Sequence, residues 1–214
     1  MRIKIKICGL KSPENIKVLA ELPVDMIGLI FYEKSPRYVE NSDAEKINAL
    51  ELKISKVGVF VDASFDYILE KIERFQLQLV QLHGNESAEF CDGLKKKNIP
   101  VIKAFQIKTA EDLQICRLYD GCCDYFLFDT PTTKYGGSGN KFDWDLLSTY
   151  QGETPFFLSG GITLDDAEVI KRLDMPKLYA VDLNSRFELS AGIKDVDKIN
   201  SFLAVVFGDR RIEG

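Results

Sequence analysis

The sequence has only one histidine and no cysteine motif of the kind that binds metal or performs redox chemistry. His83 has no second histidine to join it, and the carboxylates are not paired at ligand spacing, which argues against a metal site. The five cysteines are an odd number without a C-x-x-C spacing. Such cysteines indicate free thiols rather than a disulfide framework, so we expect a reducing, cytoplasmic setting.

Long apolar runs, basic clusters and a dinucleotide motif are also missing. No apolar run reaches membrane-spanning length, and the first seven residues alternate charge with isoleucine instead of forming a signal-peptide core. A formal net charge of -5 without clustered Lys or Arg argues against nucleic-acid binding. Because no G-x-G-x-x-G follows the first predicted strand, we expect no dinucleotide. The sequence predicts a cofactor-free, soluble protein with a small-molecule substrate and no membrane partner.

The 214 residues, 45% of them hydrophobic, suffice for one large core. No composition break or proline-rich linker divides them, so we predict a single domain over residues 1–207 and a short tail at 208–214. Short apolar segments alternate with helix-length segments throughout. The predicted strands are 2–8, 26–31, 56–61, 78–83, 101–105, 124–128, 155–158 and 177–181. The predicted helices are 12–22, 42–50, 65–75, 87–97, 109–119, a segment starting near 142, 164–173 and 191–207.

Eight strand-helix units of this kind predict an α/β fold, a single-domain (β/α)₈ TIM barrel. An open doubly wound sheet is the alternative. In a barrel the active site lies at the carboxyl ends of the strands, and phosphate commonly binds after strands seven and eight. The polar or small residues at the predicted ends are Cys8, Arg37, Asp62, His83, Asp129, Gly160, Gly161, Asn184 and Ser185. For His83 we favour packing at the rim over proton transfer.

Three of the predicted loops form a candidate phosphate cup. Loop six carries a glycine cluster, loop seven repeats two glycines, and loop eight offers an amide and a hydroxyl. Glycines let backbone N–H groups converge on an anion, although a plain flexible loop is the alternative for loop six. The candidate phosphate ligands are Gly136, Gly137, Ser138, Gly139, Gly160, Gly161, Asn184 and Ser185.

The first strand presents a candidate base. Its two-residue alternation places Lys6 and Cys8 on one face, which points inward in a closed barrel. A lysine near a thiol favours the thiolate, whereas an inert core thiol is the alternative. Asp129, at the end of strand six, is the candidate acid beside the glycine cluster.

Taken together, these segments resemble the phosphoribosylanthranilate isomerase family of tryptophan biosynthesis across nearly the whole chain. The matching segments are KICGL at 6–10, GLIF at 28–31, SPR at 35–37, VGVF at 57–60, VQLHG at 80–84, GGSG at 136–139, FDW at 142–144 and SGG at 159–161. The resemblance implies a cofactor-free barrel that converts N-(5-phosphoribosyl)anthranilate into 1-(2-carboxyphenylamino)-1-deoxyribulose 5-phosphate. It further implies Cys8 as general base, Asp129 as general acid and Arg37 as the ligand of the anthranilate carboxylate.

One position departs from the family pattern. Arg186 stands where loop eight of the family usually has glycine, so we expect either an altered turn or an added cation near the phosphate. Two rival functions stay open at this level: a histidine-pathway Amadori isomerase, which resembles this family but has an aspartate in place of Cys8, and a non-catalytic binding subunit. Monomer and homodimer are both compatible with the sequence.

Overall fold

The computed structural model describes residues 2–129 and 144–208. Eight parallel strands alternate with helices along the chain. The strands are β1 Lys4–Cys8, β2 Met26–Ile30, β3 Ser55–Phe60, β4 Leu79–Leu82, β5 Val101–Gln106, β6 Tyr125–Asp129, β7 Phe156–Ser159 and β8 Leu178–Leu183. The α-helices are α1 Pro13–Leu19, α2 Ala44–Asn48, α3 Phe65–Phe75, α4 Ala88–Lys95, α5 Asp112–Ile115, α6 Ala167–Arg172 and, after β8, α7 Val196–Phe207. Between β6 and β7 the described residues form a 3₁₀ helix, Trp144–Thr149, where a helix starting near 142 was predicted.

The sheet closes on itself. β1 pairs in parallel with β2 on one side and with β8 on the other, where Lys6 is opposite Asp182. The predicted (β/α)₈ barrel is therefore confirmed, and the open-sheet alternative is wrong. Closure brings the carboxyl ends of all eight strands around one mouth, where residues distant in sequence become neighbours.

Serine caps start several of the helices. Ser12 accepts a hydrogen bond from the backbone N–H of Asn15 ahead of Pro13, and Ser64 and Ser87 cap α3 and α4 in the same way. Each cap satisfies one of the N–H groups that the first turn leaves without a partner. Because these caps immediately follow the loops after their strands, they fix where each loop ends.

The chain between β8 and the last helix differs from the prediction of a helix over 191–207. A short antiparallel hairpin forms instead, with β9 Glu188–Ser190 and β10 Ile193–Lys194, and Gly192 turns it with a φ of 86°. Helix α7 starts only at Val196, where the Asp195 carboxylate accepts from the N–H of Lys198. Helix α7 starts after Asp195 because this residue accepts a hydrogen bond from a free N–H group of the first helical turn. The residues before Asp195 pair as strands instead.

Two layers of apolar side chains support the mouth. One fills the lower barrel interior with Met26, Val57, Ile102, Ala104, Leu127, Phe157 and Ala180, and the larger one lies between strands and helices. Higher in the same interior the side chains turn polar, with Lys6, Gln81 and Asp182 buried. Across the described residues, every helix is too short or too polar to cross a bilayer.

Candidate active site

A cavity of about 330 Å³ occupies the mouth of the barrel. Six residues predicted for the site line it together: Cys8, Asp129, Gly160, Gly161, Asn184 and Ser185. Gln81, His83, Asp182 and Arg186 also contribute to its wall. Gly136, Gly137, Ser138 and Gly139 lie outside the described residues. The cavity thus joins ionisable side chains to glycine turns, as expected of a site for a small anion.

On the β1 side of the cavity, Lys6 interacts with Asp182 as well as with Cys8. Its Nζ donates to Asp182 Oδ1 at 2.9 Å, and the lysine side chain is 0% exposed. Burial opposes its charge, but the nearby Asp182 and Cys8 raise the pKa of Lys6, so it remains a cation. The pair is a buried contact between the first and last strands of the barrel, which only closure makes possible.

Cys8 is buried beside this pair, and its ionisation differs from the sequence-based expectation. Burial raises the pKa of Cys8, and the effect exceeds the lowering by Lys6; Asp182 raises the pKa further, whereas Lys194 lowers it. The expectation that Lys6 makes Cys8 a thiolate is therefore wrong. The main physical reason is burial, which disfavours the charged thiolate more than Lys6 favours it, and the negative charge of Asp182 adds to this effect.

His83 lies against the candidate acid on the opposite wall. Its Nε2 is 3.6 Å from Oδ2 of Asp129, and both side chains are about one-third exposed. Gln81 Nε2 lies 2.9 Å from His83 Nδ1, while Gln81 Oε1 is buried and has no hydrogen-bond partner among the described residues. The position of His83 at the rim was predicted from the sequence. Its contacts with Asp129 and Gln81 were not predicted. The alternation of polar residues at 81 and 83 in a buried strand was the available signal.

The loop after β4 is held by a buried carboxylate. Glu86 accepts from the backbone N–H groups of Asp62 and Gly84 and pairs with Lys103 Nζ at 3.1 Å. Lys103 also donates to Gly84 O at 2.7 Å. Asp62 accordingly supports this loop and is not part of the cavity wall. The network fixes the chain directly after His83, which orients the imidazole.

The proposed phosphate side is built from turns that only some residues tolerate. Gly160 and Gly161 have φ values of 103° and 58°, which favour glycine. Ser185 opens a 3₁₀ turn, Ser185–Phe187, and Arg186 is not among the described residues with positive φ. Arg186 therefore does not adopt the left-handed backbone conformation that favours glycine. It lines the cavity together with Gly160 and Gly161.

Arg37 lies next to the cavity with its guanidinium already engaged. Nε donates to Glu188 Oε1 at 2.8 Å and Nη2 to Oε2 at 2.6 Å, a bidentate pair. Gly9, with a φ of 77°, allows this approach, since a Cβ there would lie 2.6 Å from Arg37 Cδ. Glu188 was not predicted as a partner of Arg37; it belongs to β9, a segment for which no strand or helix was predicted.

A barrel whose mouth gathers a thiol, a carboxylate, a histidine and glycine turns around one cavity is the architecture of a (β/α)₈-barrel enzyme. Comparisons with known proteins narrow this class. The family model described as N-(5′phosphoribosyl)anthranilate (PRA) isomerase matches residues 5–205. The chain belongs to the N-(5′-phosphoribosyl)anthranilate isomerase family.

Individual relatives match over nearly their whole length. A protein of this name from Parabacteroides distasonis is 48% identical, covering 93% of this chain and 91% of its own. One from Phocaeicola vulgatus is 40% identical, covering 93% and 95%. The crystal structure of the Thermotoga maritima enzyme superposes with a TM-score of 0.83 at 34% identity, covering 96% of this chain and 99% of that one. Another phosphoribosylanthranilate isomerase structure, with a TM-score of 0.81 at 32% identity and the same coverage, is a complex with reduced 1-(o-carboxyphenylamino)-1-deoxyribulose 5-phosphate.

Proposed function

We infer that this chain is the isomerase that converts N-(5′-phosphoribosyl)anthranilate into 1-(2-carboxyphenylamino)-1-deoxyribulose 5-phosphate in tryptophan biosynthesis. Family membership supports the reaction. The structural observation that supports this reaction is that Cys8 in β1 and Asp129 in β6 line the same cavity. An Amadori rearrangement needs one acid and one base on either side of a ribose, and the shared cavity supports giving these two roles to Asp129 and Cys8.

In the proposed mechanism, Asp129 acts first as the general acid. It gives its proton to the ring oxygen of the ribose while the C1–O bond breaks and the anthranilate nitrogen forms a Schiff base with C1. The cationic Schiff base acidifies the hydrogen on C2. Cys8, as thiolate, removes that proton, and the electron pair forms the C1=C2 bond of an enolamine, which tautomerises to the ketose.

Two anionic ends of the substrate would fix the ribose between these groups. We assign the phosphate to Gly160, Gly161, Asn184 and Ser185, with Arg186 as an added cation and loop six completing the cup. We assign the aromatic carboxylate to Arg37, on the β2 side of the mouth. Holding both ends converts a loose encounter into a near-attack arrangement, which is a large part of the rate enhancement expected of such a site.

The ionisation of Cys8 sets a requirement on this mechanism. Burial favours the thiol form of Cys8, so the base is formed only when the proton leaves the cavity or passes to a neighbouring group. The charges of Lys6 and Lys194 favour the thiolate. All five cysteines are free, which fits the cytoplasmic location we propose.

The test is to mix the purified chain with freshly prepared phosphoribosylanthranilate and follow the fluorescence of the anthranilate adduct. Rapid loss of fluorescence, with Cys8→Ala as the inactive comparison, is the expected result. A rate no greater than spontaneous decay would overturn the proposed function. Sedimentation of the same sample would distinguish a monomer from a homodimer; a relative from Thermotoga maritima is described as dimeric.

A further inference from the structure

Three charged side chains form a buried cluster beside the cavity, which we call the rim cluster: Arg37, Glu188 and Lys194. Arg37 and Lys194 both pair with Glu188, the lysine at 2.8 Å to Oε1. The exposed fractions of the three side chains are 21%, 6% and 0%. A lysine without any exposed surface is costly to keep charged, so its place in the fold calls for a reason.

The charges of the rim cluster do not cancel. Burial lowers the pKa of Lys194, but its hydrogen bond to Glu188 and the charge of Glu188 oppose this, and we count the lysine as a cation. Arg37 and Lys194 then supply two positive charges and Glu188 supplies one negative charge, so one positive charge is left. Hydrogen bonds from Arg37 and Lys194, acting against burial, hold the pKa of Glu188 at about 2, so it is ionised at neutral pH. Among the described residues, neither cation pairs with any other carboxylate. Asp182, nearby, is already paired with Lys6.

The fold holds Lys194 in place by several contacts. Asn15 bonds its backbone twice, donating to the carbonyl at 3.0 Å and accepting from the N–H at 2.8 Å. The ammonium group also donates to Asn184 Oδ1 at 2.9 Å. Because Asn184 lines the cavity, the surplus charge of the rim cluster lies directly behind the cavity wall.

We propose that Lys194, by sharing Glu188 with Arg37, leaves the rim cluster with one positive charge for the substrate's aromatic carboxylate, and so selects an anionic aromatic amine over a neutral one. The proposal rests on the function inferred above and extends it to two positioning residues, Lys194 and Glu188. Without Lys194, Glu188 would neutralise Arg37 completely. The substrate carboxylate would then meet a neutral ion pair instead of a net cation.

The test compares two substrates that differ only in that carboxylate, N-(5′-phosphoribosyl)anthranilate and N-(5′-phosphoribosyl)aniline. In Lys194→Met we expect the ratio of their kcat/KM values to fall roughly tenfold through a raised KM for the anthranilate substrate, as for a lost charge-assisted contact. The KM of the aniline substrate should stay unchanged, and any loss of kcat through the Cys8 thiolate, which the charge of Lys194 favours, should be equal for the two substrates and cancel in the ratio. Adding Glu188→Gln to Lys194→Met returns the rim cluster to one positive charge, so the ratio should recover. Lys71→Met, which alters another buried lysine away from the cavity, should leave the ratio unchanged.

Several results would overturn the proposal. These are an unchanged ratio in Lys194→Met, an equal loss for both substrates, or a double variant that is no better than the single one; each would reduce Lys194 to a structural support. If Lys194→Met does not fold, Glu188→Gln can be tested alone. It raises the charge of the rim cluster to two, so the ratio of kcat/KM for the anthranilate substrate to that for the aniline substrate should rise. A ratio that stays level or falls would overturn the proposal. A wild-type chain that turns over neither substrate would instead refute the proposed function itself.

Discussion

His83 Nε2 lies 3.6 Å from Asp129 Oδ2, and Gln81 Nε2 lies 2.9 Å from the other ring nitrogen of the same histidine. Because the amide donates to Nδ1, the neutral imidazole carries its hydrogen on Nε2, facing the carboxyl group. Gln81 in β4 and His83 directly after β4 thus lie next to the group that we assign as the general acid. We infer that His83 acts through Asp129 as a positioning residue.

Replacing His83 by Asn removes the imidazole that lies 3.6 Å from Asp129 Oδ2, so it should lower kcat about tenfold and leave KM nearly unchanged. The loss should be smaller than that of Asp129→Asn. The double variant His83→Asn/Asp129→Asn should be no slower than Asp129→Asn alone, because the two act as a unit. Multiplicative losses in steady-state kinetics would show that His83 works independently of Asp129.

The largest losses of kcat are expected for the proton-transfer pair, Cys8 and Asp129. Cys8→Ala and Asp129→Asn should each lower kcat by about 10²–10⁴ while the proteins fold and still bind a reduced product analogue. Cys8→Ser should also be slow, since a hydroxyl is a much weaker base than a thiol. Cys116→Ala is the matched control, because this thiol is buried outside the cavity. Near-normal kcat in either Cys8→Ala or Asp129→Asn would refute the mechanism.

The phosphate assignment can be tested at Gly161. A Cβ at its φ of 58° strains the turn and displaces N–H groups, so Gly161→Ala should raise KM by about 10- to 100-fold, which corresponds to roughly 1–3 kcal/mol. Gly121→Ala is the control: its φ is 78° and a Cβ there has no neighbour within 4 Å. Gly121 lies outside the cavity wall, so its replacement should cost stability but not KM. Equal KM values for Gly161→Ala and wild type would move the phosphate elsewhere.

The buried thiol predicts a pH dependence of chemical modification. Burial raises the pKa of Cys8 above the usual value for cysteine; hence the thiol form persists through neutral pH and the thiolate fraction keeps growing past pH 9. Alkylation of Cys8 by iodoacetamide, followed by mass spectrometry, should therefore rise about tenfold per pH unit between pH 7 and 9. The reduced product analogue should protect the residue. A rate that levels off below pH 8 would contradict a raised pKa.

Local pattern was enough to predict the fold. The eight alternating units and their order follow from hydrophobic periodicity, and inward placement of Cys8 follows from the two-residue repeat of a strand. The same reasoning failed at 191–195, where a hairpin replaces the predicted first turns of the last helix. Gly192 and the Asp195 cap are local signals, but choosing between helix and hairpin there depends on the partners that Glu188 and Lys194 find elsewhere in the barrel.

By itself, then, the sequence determined the strand-helix order and which residues stand at strand ends, because periodicity and capping act over a few residues. The charge state of the site was decided by tertiary structure alone. Lys6 meets Asp182 across 176 positions, Arg37 meets Glu188 across 151, and Asn15 holds Lys194 across 179. These contacts exist because the barrel closes, and a buried charge takes its ionisation from whatever neighbour closure brings to it.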